Sequence, residues 1–278
     1  MTGHIAGKSI VITGAGGGFG SLVARKAAAL GAHVTCGDID LAAAEAVVEY
    51  ITAGGGKAQA VQVDVRELGA VKTLVAKALA TYGAVDVMIN NAGIMPLAFF
   101  SDHEAAYPAW ERCIDINIKG VLNGMVAAYD PMIAAGRGQI VNLSSIYGNF
   151  PVIGAAVYGA SKSAVNFLSE SLRVESRGKI KVTTIKPTGV PSTGLSGTVV
   201  NQAAGIGIVA HNMPDFMDMV GQMGAGTFPA ERLDPEAMDY ASLAPDHIAD
   251  AVIHAIDQPW GVSISEVTVR AAGDHFVL

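Results

Sequence analysis

The sequence has little charge of either sign, and its basic residues do not cluster. Charged residues make up 15% of the 278 positions, and the formal net charge at pH 7 is -7. Nucleic acids and anionic membrane surfaces bind proteins through concentrated Lys and Arg side chains. The composition therefore argues against both as partners.

Cysteines, long apolar runs and clustered histidines are also scarce. Cys36 and Cys113, the only cysteines, have no metal-type spacing and are predicted to be buried thiols in a reducing cytoplasm. No apolar run reaches the ~18 residues of a membrane span, and the first nine residues show no signal-peptide pattern. The seven histidines form no metal-type group, so we expect a cytoplasmic protein without a metal centre.

Apolar residues, by contrast, make up 51% of the chain and follow two alternating patterns. Short continuous apolar runs predict strands, and apolar residues at helical spacing between them predict helices. Uninterrupted apolar strands are typical of a parallel sheet that is covered on both faces. The predicted strands are 10–12, 33–36, 58–63, 85–89, 139–143, 181–185 and 267–270, and the predicted helices are 19–30, 41–53, 69–82, 107–135, 156–172 and 244–256.

This order of elements predicts one α/β domain over residues 1–278. Its fold would be a doubly wound Rossmann fold, with a seven-stranded parallel sheet flanked by helices. Only the segment 188–243 interrupts the alternation. Irregular segments of that length in compact domains are usually functional, so we interpret it as a lid over a substrate site.

A glycine-rich turn, Thr13 to Gly20, joins the first predicted strand to the first predicted helix. Glycines let the backbone approach a pyrophosphate, and the free N–H groups of a helix N-terminus bind its charge. The turn fits two glycine templates, one at positions 14, 18 and 20 and the other at 14, 17 and 20. The motif alone does not choose between them, but either one predicts dinucleotide binding.

Asp38 follows the second predicted strand, about 20 residues beyond this turn. A carboxylate there accepts hydrogen bonds from ribose hydroxyls and repels a 2′-phosphate. Neither residues 15–19 nor Ile39 supply a Lys or Arg to bind such a phosphate. The pattern therefore favours NAD over NADP, and the alternative is that Asp38 only caps the following helix.

Tyr158 and Lys162 lie four residues apart in a predicted helix. Residues at this spacing share a helix face. A nearby ammonium favours the phenolate and lowers the pKa of a tyrosine, which would suit acid/base work near neutral pH. The alternative is a packed tyrosine beside a solvated lysine.

Further motifs occur in order along the chain. They are Asp64-Val65 after the third strand, Asn90-Asn91-Ala92-Gly93 after the fourth, Asn117 in the long helix, and Ser145, thirteen residues before Tyr158. With these residues the chain resembles the short-chain dehydrogenase/reductase family, in its shorter single-domain subtype, over nearly its whole length. One departure is Pro187-Thr188-Gly189-Val190, where the family usually has Pro-Gly-x-Val.

The resemblance implies an NAD-dependent alcohol dehydrogenase or ketoreductase. Tyr158 would act as general acid/base, Lys162 would lower its pKa and bind the nicotinamide ribose, Ser145 would bind the substrate oxygen, and Asn117 would hold a relay water. The implied cofactor-binding residues are Gly14, Gly17, Gly18, Phe19, Gly20, Asp38, Ile39, Asp64, Val65, Asn90, Asn91, Ala92, Gly93, Tyr158, Lys162, Pro187, Val190 and Ser192. Other readings are a catalytically silent NAD-binding sensor or scaffold and a 3-oxoacyl-type reductase.

The predicted lid is rich in Met, Phe and aliphatic residues, and Arg232 is its only Lys or Arg. Charged substrates usually require a cationic clamp, so we expect a hydrophobic, uncharged secondary alcohol or ketone. The expected pocket residues are Met95, Ser145, Tyr147, Phe150, Val152, Met213 and Met217. Alternatively, the apolar lid residues pack the lid onto the domain or build an oligomer interface.

The family resemblance also implies a homotetramer or homodimer built on the helices at 107–135 and 158–177. The apolar end of the chain, Phe276-Val277-Leu278, would suit burial against a neighbouring subunit.

Overall fold

A computed structural model of the protein describes residues 3–191 and 193–277. Seven strands form one sheet with the order β3-β2-β1-β4-β5-β6-β7, and every neighbouring pair is parallel. The strands are β1 Ser9–Thr13, β2 His33–Asp38, β3 Lys57–Gln62, β4 Val87–Asn90, β5 Gly138–Leu143, β6 Ile180–Pro187 and β7 Glu266–Val269. The predicted doubly wound fold is confirmed, and each predicted strand end lies within two residues of the observed one.

Helices cover both faces of the sheet. They are α1 Gly18–Ala29, α2 Leu41–Ala53, α3 Leu68–Tyr82, α4 His103–Cys113, α5 Val121–Ala134, α6 Ala156–Glu175, α7 Met213–Ala225 and α8 Pro245–Ile256. One apolar layer packs α1, α2 and α8 against the sheet, and a second packs α3, α5 and α6 against the other face. The strand order reverses between β1 and β4, and ligands of such sheets bind at the carboxyl ends of the strands beside that reversal.

The single helix predicted at 107–135 is wrong. A π-helical turn, Ile114–Gly120, separates α4 from α5. A π-helical turn inserts a residue into the α-helical repeat and leaves the apolar pattern on either side nearly intact, so periodicity does not reveal it. The turn contains Asn117, whose side chain is completely buried.

The segment predicted to be a lid contains short helical pieces. Besides α7, it has 3₁₀ turns at Gly194–Thr198, Gln202–Ile208, Ala210–Asn212 and Ala230–Leu233. These turns are too short for a periodic apolar pattern, which is why the sequence shows the segment as irregular.

The amino ends of the strands carry a cluster of cations around Trp260. Three cationic groups lie near the centroid of its ring: Lys8 Nζ at 4.6 Å, Arg137 Cζ at 5.0 Å and Lys181 Nζ at 5.4 Å. Lys8 also donates to the carbonyl of Ile256 at 2.7 Å, which joins β1 to α8. This cluster lies at the sheet edge opposite the carboxyl ends of the strands.

Both cysteines are buried, as predicted, and burial raises the pKa of the Cys36 thiol to about 12. Within 3–191 and 193–277, no helix has the length and apolarity needed to cross a membrane. Over the same ranges, no group of three or more His, Cys, Asp or Glu side chains could hold a metal ion.

Candidate active site

The glycine-rich turn folds tightly at the carboxyl end of β1. Gly18 has a left-handed backbone with φ +50°, whereas the backbone of Gly17 is extended. A Cβ on Gly20 would collide with the carbonyl oxygen of Gly14, so only glycine fits there. These positions correspond to the template with glycines at 14, 18 and 20.

Asp38 connects this turn to the end of β2. Its Oδ2 accepts a hydrogen bond from the Gly16 N–H at 2.8 Å, and its Oδ1 accepts one from the Asp40 N–H at 3.0 Å. The cap of α2 is Asp40, whose side chain accepts from the Ala43 N–H at 3.1 Å. The alternative reading of Asp38 as the helix cap is therefore wrong, and the neighbouring Ile39 side chain is exposed.

The Asn90–Gly93 segment holds the turn from the β4 side. The Asn91 Nδ2 donates to the carbonyls of Thr13 and Gly14, both at 2.9 Å. Asn90 donates to Asn142 Oδ1 at 2.8 Å and thereby links β4 to β5. Ala92 and Gly93 follow Asn91 in the chain. Gly93 lies beside Asn117 and Lys162, since a Cβ on Gly93 would be 3.3 Å from Asn117 Oδ1 and 3.6 Å from Lys162 Nζ.

Asp64 and Val65 follow β3 and take part in separate contacts. The Arg66 guanidinium pairs with the Asp64 carboxylate, with Nε 2.9 Å from Oδ1, and lowers the pKa of that carboxyl. Val65 is buried, and its carbonyl accepts a hydrogen bond from Asn123 Nδ2 at 2.8 Å. The contact with Arg66 was not anticipated from the sequence.

Tyr158, Lys162 and Ser145 meet at the carboxyl ends of β4 and β5, and all three are buried. The Ser145 side chain lies close enough to the Tyr158 hydroxyl to favour its phenolate form. The Lys162 Nζ lies 5.7 Å from the Tyr158 ring centroid and donates to the carbonyl of Leu143 at 2.8 Å. The Tyr147 ring packs edge-on against Tyr158, with centroids 5.5 Å apart.

The pKa of Tyr158 differs from the expected direction. Burial raises this pKa above its ordinary value, and the nearby Ser145 side chain opposes the rise only in part. Burial also lowers the pKa of Lys162 to about 8. The polypeptide alone therefore keeps the phenol protonated, because the effect of removal from water exceeds that of the Ser145 side chain.

The side-chain amide of Asn117 bonds to the segment that follows β4. Its Oδ1 accepts from the Ile94 N–H, and its Nδ2 donates to the Ile94 carbonyl, both at 2.9 Å. The same Nδ2 lies 3.1 Å from Ser161 Oγ and 3.3 Å from Cys113 Sγ. The side-chain amide thus positions the segment after β4, and the relay water expected at Asn117 stays a prediction.

A cavity of about 480 Å³ opens beside Tyr158 and Ser145. Lys162 is the only charged residue in its wall, within the part of the chain that the structure describes. Two expected pocket residues, Met95 and Tyr147, line it. The wall also includes Pro187 and Val190, which were predicted to bind the cofactor. The other wall residues include Leu195, Val199, Ile208, Phe216, Met219, Val220, Met223 and Phe276.

Four expected pocket residues do not line this cavity. Phe150 and Met217 are 62% and 53% exposed, while Val152 and Met213 pack into the apolar cluster around Ile208. On α7 the cavity-facing residues are 216, 219, 220 and 223, at helical spacing, and Met217 points away. Sequence reasoning missed this face because 213–225 was read as part of an irregular segment.

Thr188 continues the path of β6 beyond Pro187. Its backbone N–H donates to the carbonyl of Val269 at 3.1 Å, so the turn remains attached to the end of β7. Val190 reaches the cavity wall from this turn. Ser192, predicted to bind the cofactor, lies outside the described residues.

Trp110 on α4 supports the cavity from behind. Its Nε1 donates to the carbonyl of Pro96 at 3.2 Å, next to the wall residue Met95. It also packs in a small apolar cluster with Val157, the neighbour of Tyr158. The indole therefore couples α4 to the start of α6.

Comparison with known proteins identifies the family. The short chain dehydrogenase model matches residues 8–204, and the protein belongs to this family of oxidoreductases. An uncharacterized oxidoreductase of Listeria monocytogenes is 36% identical over 271 residues, which cover 95% of this chain and 96% of that one. A cyclohexanol dehydrogenase of Acinetobacter sp. is 36% identical over 188 residues, 67% of this chain and 74% of the relative.

Solved structures show the same fold. A metagenomic short-chain oxidoreductase in complex with NADP has a TM-score of 0.72 and 28% identity, covering 96% of this chain and 98% of that one. A short-chain dehydrogenase/reductase from Burkholderia phymatum in complex with NAD has a TM-score of 0.74 and 26% identity, covering 95% and 89%. Proteins of this fold thus occur with either dinucleotide.

Proposed function

We propose that the protein is an NAD-dependent oxidoreductase that interconverts a hydrophobic, uncharged secondary alcohol and its ketone. The proposal rests mainly on one arrangement: Tyr158 and Ser145 together face a cavity whose described wall contains no charged residue except Lys162. Small-molecule sites are typically apolar with a few placed polar groups. Such a wall suits an uncharged substrate.

The residues at the β1 end fit a dinucleotide. A Cβ on Gly17 or Gly18 would meet no atom within 4 Å, so the backbone faces open space at the N-terminus of α1. A pyrophosphate could approach there. Asp38 would bind the adenosine ribose, and the absence of Lys and Arg at 15–19 and at Ile39 supports NAD over NADP.

Tyr158 would remove the alcohol proton during oxidation and return it to the ketone during reduction. Ser145 would hold the substrate oxygen as charge develops on it. When bound, the nicotinamide would supply the hydride acceptor or donor and, in its oxidised form, a positive charge. That charge and the Lys162 ammonium would favour the phenolate, against the burial that raises the pKa of Tyr158.

The cavity wall also supports a cyclic substrate. Tyr147, Phe216 and Phe276 contribute three aromatic rings, and Met95 and Met219 contribute adaptable thioethers. Flat apolar walls suit a carbocyclic ring, and the Acinetobacter relative is named for the oxidation of cyclohexanol. We therefore place cyclic secondary alcohols first among the substrates.

A homotetramer or homodimer remains our proposal for the assembly, with the cytoplasm as its location. Apolar side chains on α5 and α6 are exposed, including Leu122, Val126, Phe167 and Val174, with Phe167 at 77%. Burying them against a second copy would remove this apolar surface from water. The mass in solution tests this, and a monomer would contradict it.

The decisive experiment measures turnover of cyclic and open-chain ketones with NADH and with NADPH, alongside Tyr158→Phe. We expect reduction with NADH and a loss of at least about 100-fold in kcat for Tyr158→Phe. Tyr50→Phe, which removes a hydroxyl from the exposed side of α2, is the control. NADH binding without turnover of any ketone would favour the silent sensor, and a clear NADPH preference would contradict the role of Asp38.

A further inference from the structure

The C-terminal tail, residues 270–277, folds back onto the cavity of its own chain. Phe276 lies in the cavity wall and packs in the apolar cluster that contains Ile208 and Phe216. The Val277 N–H donates to the Ile208 carbonyl at 3.1 Å, and Asn212 Nδ2 donates to the His275 carbonyl at 3.0 Å. The tail is thus attached to the lid.

A buried carboxylate fixes the shape of this tail. The side chain of Asp274, 4% exposed, pairs with Arg270, whose Nη2 lies 2.6 Å from Oδ1 and whose Nε lies 3.1 Å from Oδ2. Asp274 also accepts from the Phe276 N–H at 3.1 Å, and Arg270 donates to the Phe276 carbonyl at 2.7 Å. Residue 276 is therefore held on both of its backbone polar groups.

The ring of Phe276 rests on Gly189. Gly189 has φ +50°, and a Cβ there would overlap the Phe276 ring, with Cζ only 2.9 Å away. The preceding residue, Thr188, places its hydroxyl 3.0 Å from the Val269 carbonyl and 3.4 Å from Asp274 Oδ2. Thr188 occupies the position at which the chain departs from Pro-Gly-x-Val, and both Thr188 and Gly189 contact the tail.

We propose that Phe276 is a specificity-determining residue, which limits the cavity to compact single-ring ketones. This rests on the proposed function and extends it to the size of the substrate. The ring fills the space between Gly189, next to Val190, and the lid residues Ile208 and Phe216. Asp274 and Thr188 are positioning residues that keep the Phe276 ring packed against the backbone of Gly189.

The test compares kcat/KM for cyclohexanone and for the fused two-ring ketone 2-decalone, with saturating NADH. Phe276→Ala should raise the ratio of decalone to cyclohexanone turnover by roughly 10-fold or more, since pocket contacts of this size discriminate to that degree. Because both ketones are measured on the same preparation, a partly unfolded variant does not alter the ratio. Val277→Ala, one residue further and 37% exposed, is the control and should keep the wild-type ratio.

Gly189→Ala directly tests the packing of the Phe276 ring against Gly189. The added methyl should displace the ring and shift the ratio in the same direction as Phe276→Ala. In the Phe276→Ala background the same change should leave the ratio where it was, because the overlapping ring is gone. Gly178→Ala is the matched control for backbone strain, since Gly178 has φ +80° and open space at its Cβ position.

The outcomes separate the two proposals. An active wild-type protein whose ratio does not change in Phe276→Ala would overturn the specificity role and leave the proposed function standing. If Gly189→Ala shifted the ratio of decalone to cyclohexanone turnover equally with and without Phe276, the proposed packing of the Phe276 ring on Gly189 would be overturned. Wild-type protein that reduces no ketone with either cofactor would overturn the proposed function itself.

Discussion

The side-chain amide of Asn117 pairs with both backbone polar groups of Ile94, at 2.9 Å for each hydrogen bond. The amide comes from the π-helical turn between α4 and α5, and Ile94 follows the Asn90–Gly93 segment. This one side chain therefore joins the π-helical turn to the loop that lies beside Lys162.

Asn117→Ala should lower the free energy of unfolding by about 2–3 kcal/mol, because it leaves a backbone donor and acceptor of Ile94 without partners. Asn123→Ala provides the comparison, since Asn123 lies nearby on α5 and donates a single hydrogen bond, to Val65. Asn123→Ala should lower the free energy of unfolding by about 1 kcal/mol. Urea unfolding of both variants without cofactor measures the difference, and equal losses would contradict the bridging role.

Gly17 and Gly20 should respond differently to the same substitution. Gly20→Ala would force the new Cβ onto the Gly14 carbonyl and should reduce the melting temperature of the cofactor-free protein by several degrees. Gly17→Ala faces open space and should leave that temperature nearly unchanged while weakening NADH binding, measured by fluorescence titration. Normal NADH binding by Gly17→Ala would place the pyrophosphate elsewhere.

Two methionines on α7 distinguish the observed cavity from the pocket predicted from the sequence. Met219 lines the cavity at 9% exposure, whereas Met217 points to solvent. Met219→Ala should raise KM for a cyclic ketone by roughly 5–10-fold, because it removes apolar contact with the substrate. Met217→Ala should not change KM, and an effect of Met217 alone would restore the original prediction.

Lys162 should make stability depend on alkaline pH. Burial lowers its pKa from 10.5 to about 8, so between these values the folded protein has released a proton that the unfolded chain still binds. Stability therefore rises with pH in this window and has no slope from Lys162 below pH 8. Lys162→Met has no titrating group at this position, so its free energy of unfolding should not share this rise. The free energy of unfolding of Lys162→Met minus that of wild type should therefore fall by roughly 1–3 kcal/mol from pH 8 to 10.5. Urea unfolding of cofactor-free protein measures this difference. A constant difference would contradict the lowered pKa.

The sheet was predictable because its signals are local. Each strand is a short apolar run next to a turn or helix signal, and the observed strand ends lie within two residues of the predicted ones. Asn117 shows the limit of this approach. The sequence located the residue, but the π-helical turn and the hydrogen bonds to Ile94 depend on packing between distant segments.

The cavity was less predictable for the same physical reason. Phe276 reaches Gly189 across 87 positions of sequence, and no periodic pattern connects them. The apolar end of the chain was expected to meet a neighbouring subunit, whereas the ring of Phe276 packs within its own chain. The pKa of Tyr158 likewise depends on how deeply α6 is buried, which spacing alone does not reveal.

The two tryptophans lie near opposite ends of the sheet, so the fluorescence of each one depends on a different region of the protein. Trp110 lies behind the cavity wall, hydrogen-bonded to Pro96, while Trp260 lies among Lys8, Arg137 and Lys181 at the other end. Nearby cations alter the emission of an indole, so the two fluorophores have different surroundings. With Trp260 replaced by Phe, the remaining tryptophan emission would come from the indole behind the cavity wall, so adding a ketone would test occupancy of the cavity without an attached dye.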